Sequence, residues 1–208
     1  MAIKTSNSGG DFKLAPEGMH VARCFKIIDC GTHLDEKFQK QKRIGWLFWE
    51  LPMALMDADD KGVQKPFIIG KRYNLSHNEK AILRLDLENW YGKRFNTVDL
   101  DKSQGFDLEK VVGRPALLNV VHSEDGKYAN IASVNPLAQG MTCPDAVNKP
   151  FVFSLDDVGT EKFTQLSEKM QVFIKECREL APKSAVKTAN DRVQAGEGPG
   201  FDDEIPFN

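Results

Sequence analysis

The sequence predicts a mainly β fold: a small five-stranded barrel with one inserted helix, then an amphipathic helix and an acidic tail. Three observations predict it. Strand-like runs occur three times before residue 75 and twice between residues 115 and 134. Between those two groups the apolar spacing changes to a helical period, over residues 76–92. The last twelve residues hold four acids (Glu197, Asp202, Asp203, Glu204) and no base.

Residues 1–15 read as a flexible N-terminal arm, polar and Gly-containing. The first strand covers residues 19–29, where Val21, Phe25, Ile27 and Ile28 alternate imperfectly with Arg23 and Lys26. Residues 31–43 read as a hydrophilic connection carrying Lys37, Lys40, Lys42 and Arg43. The second strand, 44–51, ends at Pro52, and a loop with Asp57, Asp59, Asp60 and Gly62 leads to the third, 66–74. Ser76 followed by Glu79 has the form of a capping box, and Ile82, Leu85 and Asn89 continue the helical spacing to Gly92. Strands at 115–122 and 127–134 flank a turn at Glu124-Asp125-Gly126. Three strands, a helix and two strands is the order of an OB-fold barrel, an architecture that binds oligonucleotides and oligosaccharides.

Past Pro150, residues 160–180 place Phe163, Leu166, Met170, Phe173, Ile174 and Cys177 on one amphipathic stripe. That segment packs either on the barrel or on a second copy as a homodimer seam, and the oligomeric state stays open. Residues 181–200 hold no aromatic residue and only Val186 and Val193 as large aliphatics, too little apolar surface to order themselves. The domain is therefore read as residues 16–180, and 181–208 as a disordered linker and acidic tail.

With 208 residues the chain is long enough for one domain of about 100–200 residues plus a tail. Such a domain buries a core without needing disulfides or a metal. No run approaches the roughly 18 apolar residues of a membrane span, and the N-terminus lacks the apolar region of a secretory signal. A cytoplasmic setting is expected, in which Cys24, Cys30, Cys143 and Cys177 remain thiols, none of them in a CxxC pair.

The net charge of −2 hides an asymmetry. Without the last twelve residues the chain holds 28 bases against 26 acids, and residues 61–94 alone hold eight bases against three acids. A basic body ahead of an acidic terminus points to a polyanion-binding surface and a tail with a separate role. Single-stranded nucleic acid needs a positive groove and flat rings, each stacked base contributing about 1–3 kcal/mol. The candidates are Arg23 and Lys26 on the first strand, Lys42 and Arg43 leading into the second, and Trp46 and Phe48 on one side of it. Lys71, Arg72 and Tyr73 on the third strand and Lys93 and Arg94 past the helix complete the set. Leu47, Trp49 and Leu51 take the opposite side of the second strand as core, while Trp90 and Phe95 pack the end of the helix. Against this stands the general rule that an aromatic residue in a strand is more often core than stacking platform.

His20, Cys24, Cys30 and His33 are the residues nearest to a zinc set. His20 and Cys24 lie about 13 Å apart along one side of a strand, too far to share an ion held at about 2.0–2.3 Å. Asp57, Asp59, Asp60 and Gly62 lack the spacing and the closing Glu of a calcium loop. Neither GxxxxGK[ST] nor GxSxG is present. No metal, no cofactor and no enzymatic activity are expected.

Two stretches resemble known families. Asp202-Asp203-Glu204-Ile205-Pro206-Phe207 resembles the acidic tip of bacterial single-stranded DNA-binding proteins, although there the Phe is terminal and here Asn208 follows it. Residues 71–80 (Lys71-Arg72-Tyr73-Asn74 onward) and 83–95 (through Leu87-Glu88-Asn89-Trp90) resemble a family of bacteriophage replication-cluster proteins, regarded as OB-fold single-stranded DNA-binding proteins. Trp49-Glu50-Leu51-Pro52 and Tyr128-Ala129-Asn130-Ile131 fit the same pattern, and the likeness covers residues 16–136. The resemblance implies sequence-nonspecific binding of single-stranded DNA during phage DNA replication or recombination, in an infected bacterial host. The tail, Asp202 to Phe207, is then expected to recruit replication or recombination proteins and to compete for the basic face when DNA is absent. The rival readings are a protein-interaction module without strong DNA binding, an enzyme of nucleic-acid metabolism, and binding of duplex DNA.

Overall fold

The computed structural model describes residues 13–58, 62–96 and 105–181. In chain order it contains β1 (Gly18–Asp35), β2 (Lys40–Leu55), β3 (Pro66–Asn74), α1 (Ile82–Tyr91), β4 (Pro115–His122), β5 (Ala129–Asn135), β6 (Phe151–Phe153), α2 (Glu161–Thr164) and α3 (Glu168–Lys175). Short 3-10 turns at Leu108–Val111 and Leu155–Asp157 precede β4 and α2.

All strands belong to one sheet in the order β3-β2-β1-β4-β5, with β6 added beside β1. β1 is the axis of the molecule. β2 runs antiparallel along one of its edges. On the other edge β4 covers Gly18 to Arg23, and where β4 stops β6 runs parallel beside Lys26 to Ile28. Two bulges, around Phe25 and Cys30, bend β1 and re-aim its side chains. Ala22, Cys24 and Ile27 therefore face one core, while Phe25, Ile28 and Cys30 face another.

The first core lies inside the curved sheet. Leu47, Trp49 and Leu51 of β2 meet Ile69 and Tyr73 of β3, Leu118 and Val120 of β4, and Leu83, Leu87 and Trp90 of α1. Trp90 sits against Trp49 with ring centroids 5.7 Å apart, and its indole N–H donates to the Pro115 carbonyl at 2.7 Å. α1 ends where Gly92 takes φ +66°, a left-handed turn that suits a residue lacking Cβ. The second core lies on the opposite face of the sheet. There Trp46 and Phe48 pack with Phe153, Phe163, Leu166, Met170 and Ile174.

Several expectations are corrected. The sheet has six strands rather than five, and β3 and β5 share no ladder among the described residues, so the barrel is not closed by hydrogen bonds. Residues 31–43 are no loose connection: Thr32 to Asp35 pair with Arg43 to Lys40 as the outer half of a long hairpin. Its polar side chains hide the strand period because little of it is buried. Ser76 and Glu79 form no capping box; α1 begins at Ile82 after Ala81. Ser76 and Asn78 instead hold a turn, receiving the N–H groups of Asn78 and Lys80 at 3.3 and 3.0 Å. Residues 160–180 form two helices rather than one, because the Ser167 hydroxyl caps a new start by accepting from the Met170 N–H. Ala15 is buried, and the His122 ring donates to its carbonyl at 2.8 Å, so the body begins before residue 16. Residues 182–208, with the tail candidates Asp202 to Phe207, lie outside the described residues.

Candidate nucleic-acid interface

β2 carries the two aromatic residues expected to stack bases, Trp46 and Phe48, with Lys42 and Arg43 ahead of them. Its alternation sends Leu47, Trp49 and Leu51 inward and Trp46 and Phe48 to the opposite face, as the sequence predicts. The outward face, however, is covered. Trp46 and Phe48 are 9% and 7% exposed beneath Phe153, Phe163, Leu166, Met170 and Ile174. Phe48 also packs against β3, where a Cβ on Gly70 would come within 2.7 Å of its ring. Tyr73 is 3% exposed in the inner core, its hydroxyl donating to Asp86 Oδ2 at 2.8 Å. Trp46, Phe48 and Tyr73, expected as stacking platforms, are thus interior side chains. The chain's own C-terminal segment covers Trp46 and Phe48, whereas Tyr73, in register with Gly45, faces the inner core alongside Leu47.

The expected cations divide in the same way. Arg23 reaches the carbonyls of Gly113 at 2.7 Å, Pro144 at 2.8 Å and Cys143 at 3.1 Å, so it clamps the segment after β5. Its register partner Glu50 is completely buried and accepts from the N–H groups of Val147 and Asn148 at 2.9 and 2.8 Å and from the Asn148 amide at 2.6 Å. Lys71 pairs with Asp86 at 2.7 Å. Arg94 and Arg84 both hold the buried Glu88, at 2.7 and 2.9 Å. Burial alone would raise the Glu88 carboxyl, but its bonds to Arg84, Arg94 and the Phe95 N–H hold it down to about 2. Of the eight bases at residues 61–94, Lys71 and Arg84 are therefore taken up in internal charge pairs, and Arg94 pairs with Glu88 while its side chain stays 83% exposed. Lys93 is exposed beside Arg94.

Lys26 emerges on the outer face between two rings, 5.4 Å from the centroid of Phe48 and 5.1 Å from that of Phe151. Burial pulls its pKa down. Arg43 pairs with Asp29 and Lys42 with Asp35, both on the β1–β2 hairpin. Arg72 is exposed, its guanidinium 5.6 Å from the ring centroid of Phe173. On that ring the His33 imidazole lies parallel, 4.0 Å between centroids with the planes 4° apart.

The residue missed from the sequence is Phe38 at the hairpin tip. It is 58% exposed, with the ammonium groups of Lys42 and Lys37 4.9 and 5.6 Å from its ring. The signal was there: a single ring inside Asp35-Glu36-Lys37-Phe38-Gln39-Lys40, a stretch that offers nothing to bury it. Glu50 was also missed, although an acid within an otherwise apolar run marks a position that must find donors.

Among the described residues no group of three His, Cys, Asp or Glu side chains is placed to hold a metal ion. No helix there is long and apolar enough to cross a membrane. Burial pushes the Cys30 thiol up to about 12 and raises Cys24 as well, which leaves both as poor nucleophiles at neutral pH. Comparisons with protein families, with curated proteins and with solved structures find no match to this chain.

Proposed function

We propose that the chain is a single-stranded nucleic-acid-binding protein built on an OB-type barrel, of the kind phages use in DNA replication or recombination. The observation that carries this reading is the order β3-β2-β1-β4-β5 with α1 inserted between β3 and β4, the connectivity expected of that barrel. Its β1–β2 and β4–β5 loops are parts through which the architecture grips oligonucleotides. In this chain the β1–β2 hairpin carries Lys37, Lys40, Lys42 and Arg43, with Lys37 and Lys42 beside the exposed Phe38 ring. The acidic terminus is suited to recruiting replication or recombination proteins with basic-rimmed apolar pockets.

A gel shift of a labelled oligo(dT) by the full chain at low salt tests the proposal, with labelled duplex of the same length run in parallel. Retardation of the single strand at micromolar protein supports it. Absence of any shift favours the second reading, a protein-interaction module. One observation speaks for that rival: the sheet face that such barrels offer to nucleic acid is filled here by the chain's own C-terminal helices.

A further inference from the structure

Resting on the reading above, we infer that single-stranded nucleic acid runs along a ribbon of rings and cations from Phe38, past Lys42 and His33, to Phe173 and Arg72, and not across the sheet face beneath. Three observations lead there. The sheet face is closed, since Trp46 and Phe48 lie in a packed core. The hairpin register pairs His33 with Lys42, so these two side chains stand on the same side of the ribbon. Lys42 then faces the Phe38 ring at 4.9 Å, and His33 lies flat on Phe173, which in turn lies under Arg72 at 5.6 Å.

A ring and a cation at the hairpin tip are thus followed by a stacked ring pair and a second cation, a mixture of rings and positive charge that suits the bases and phosphates of a flexible strand. Two of the acids near the ribbon, Asp35 and Glu179, are engaged within the fold, while Glu36 beside Phe38 and Glu176 near His33 are exposed. Asp35 is held by Lys42 and by the Phe38 N–H at 3.1 Å. Glu179 accepts from the Thr32 N–H and hydroxyl at 2.8 and 2.6 Å. Phe38 is 58% exposed at the hairpin tip, so its ring is available to stack at little cost in refolding. Phe173 belongs to the C-terminal layer, which makes that layer a contributor to the interface as well as its cover.

The experiment is a fluorescence-anisotropy titration of fluorescein-labelled oligo(dT) with the full chain. Phe38→Ala, the double change Lys37→Ala with Lys40→Ala, and Arg72→Ala are compared with Lys110→Ala, an exposed lysine in the 3-10 turn before β4. Phe38→Ala should weaken binding about 5- to 150-fold, the loss of one stacked base. The double lysine change should lower the slope of log K against log salt by about 1.4, at roughly 0.7 per phosphate contact on a single strand. Arg72→Ala should weaken binding several-fold and Lys110→Ala should leave it unchanged. If Phe38→Ala lowers the melting temperature, Phe38→Leu keeps apolar bulk without the ring and should still weaken binding. Wild-type binding that survives the Phe38 and lysine changes intact overturns the ribbon while leaving the nucleic-acid reading standing. A wild-type chain that does not bind the oligonucleotide at 50 mM salt overturns both.

Discussion

Ile174 is the residue through which the role of the C-terminal layer is most directly tested. It is fully buried on α3 and packs in the same core as Trp46 and Phe48. Cutting a buried isoleucine to alanine costs about 2–5 kcal/mol, the transfer term of the lost carbons plus the cavity they leave. In a domain of this size each kcal/mol moves the melting temperature by about 2–4 °C, so Ile174→Ala should lower it by roughly 4–20 °C. Val172, two positions away and 55% exposed, is the control, and its change to alanine should stay within about 0.5 kcal/mol. Thermal unfolding followed by circular dichroism and urea unfolding followed by tryptophan emission should give coincident transitions for both variants. If the layer were a lid over a binding face, Ile174→Ala would loosen it locally and leave global melting where it was. Equal melting temperatures for Ile174→Ala and Val172→Ala would therefore refute the claim that the second core is structural.

Other expected outcomes follow from named side chains. Glu50→Ala leaves three buried or half-buried donors on Val147 and Asn148 without their acceptor; a loss of about 3 kcal/mol in urea unfolding is expected, with Glu50→Gln between that and wild type. Glu88 and Glu179 are both held down to about 2 against an ordinary 4.5, Glu88 by Arg84 and Arg94 and Glu179 by Thr32, in each case against the opposing effect of burial. Their charged forms stabilise the fold above the unfolded value, and that stability fades as pH falls from about 4.5 toward 2. Melting temperatures taken at descending pH should fall through that window, and less steeply in Glu88→Gln. Trp46, Trp49 and Trp90 are at most 9% exposed, so oligo(dT) should bind with little change in tryptophan emission. Strong quenching would mean that a base reaches Trp46 and that the cover opens.

The inner half of this molecule is legible in its sequence. Leu47, Trp49 and Leu51 alternate with Trp46 and Phe48, and period two is enough to assign them to opposite faces. Which face meets solvent is another matter. The cover over Trp46 and Phe48 comes from Phe153, Phe163 and Ile174, some hundred residues further along the chain, and no local pattern announces it. One signal points that way: residues 44–51 are apolar almost without interruption, which is the pattern of a strand buried on both faces rather than one. The basic run at 61–94 misleads for a similar reason. Arg84 and Glu88 stand at helical spacing and are readable as a pair, but Lys71 reaches Asp86 across the β3–α1 turn, a contact set by tertiary structure alone. Phe38 is the converse case, where the local sequence is sufficient because nothing distant arrives to cover it.

Salt dependence of oligo(dT) binding by the full chain tests the central claim most directly. Titrations between 50 and 300 mM salt should give association constants that fall steeply, with a log–log slope of about −0.7 for each phosphate neutralised. Association that is undetectable at the lowest salt, or that holds steady across the range, would contradict a cationic contact surface on this protein.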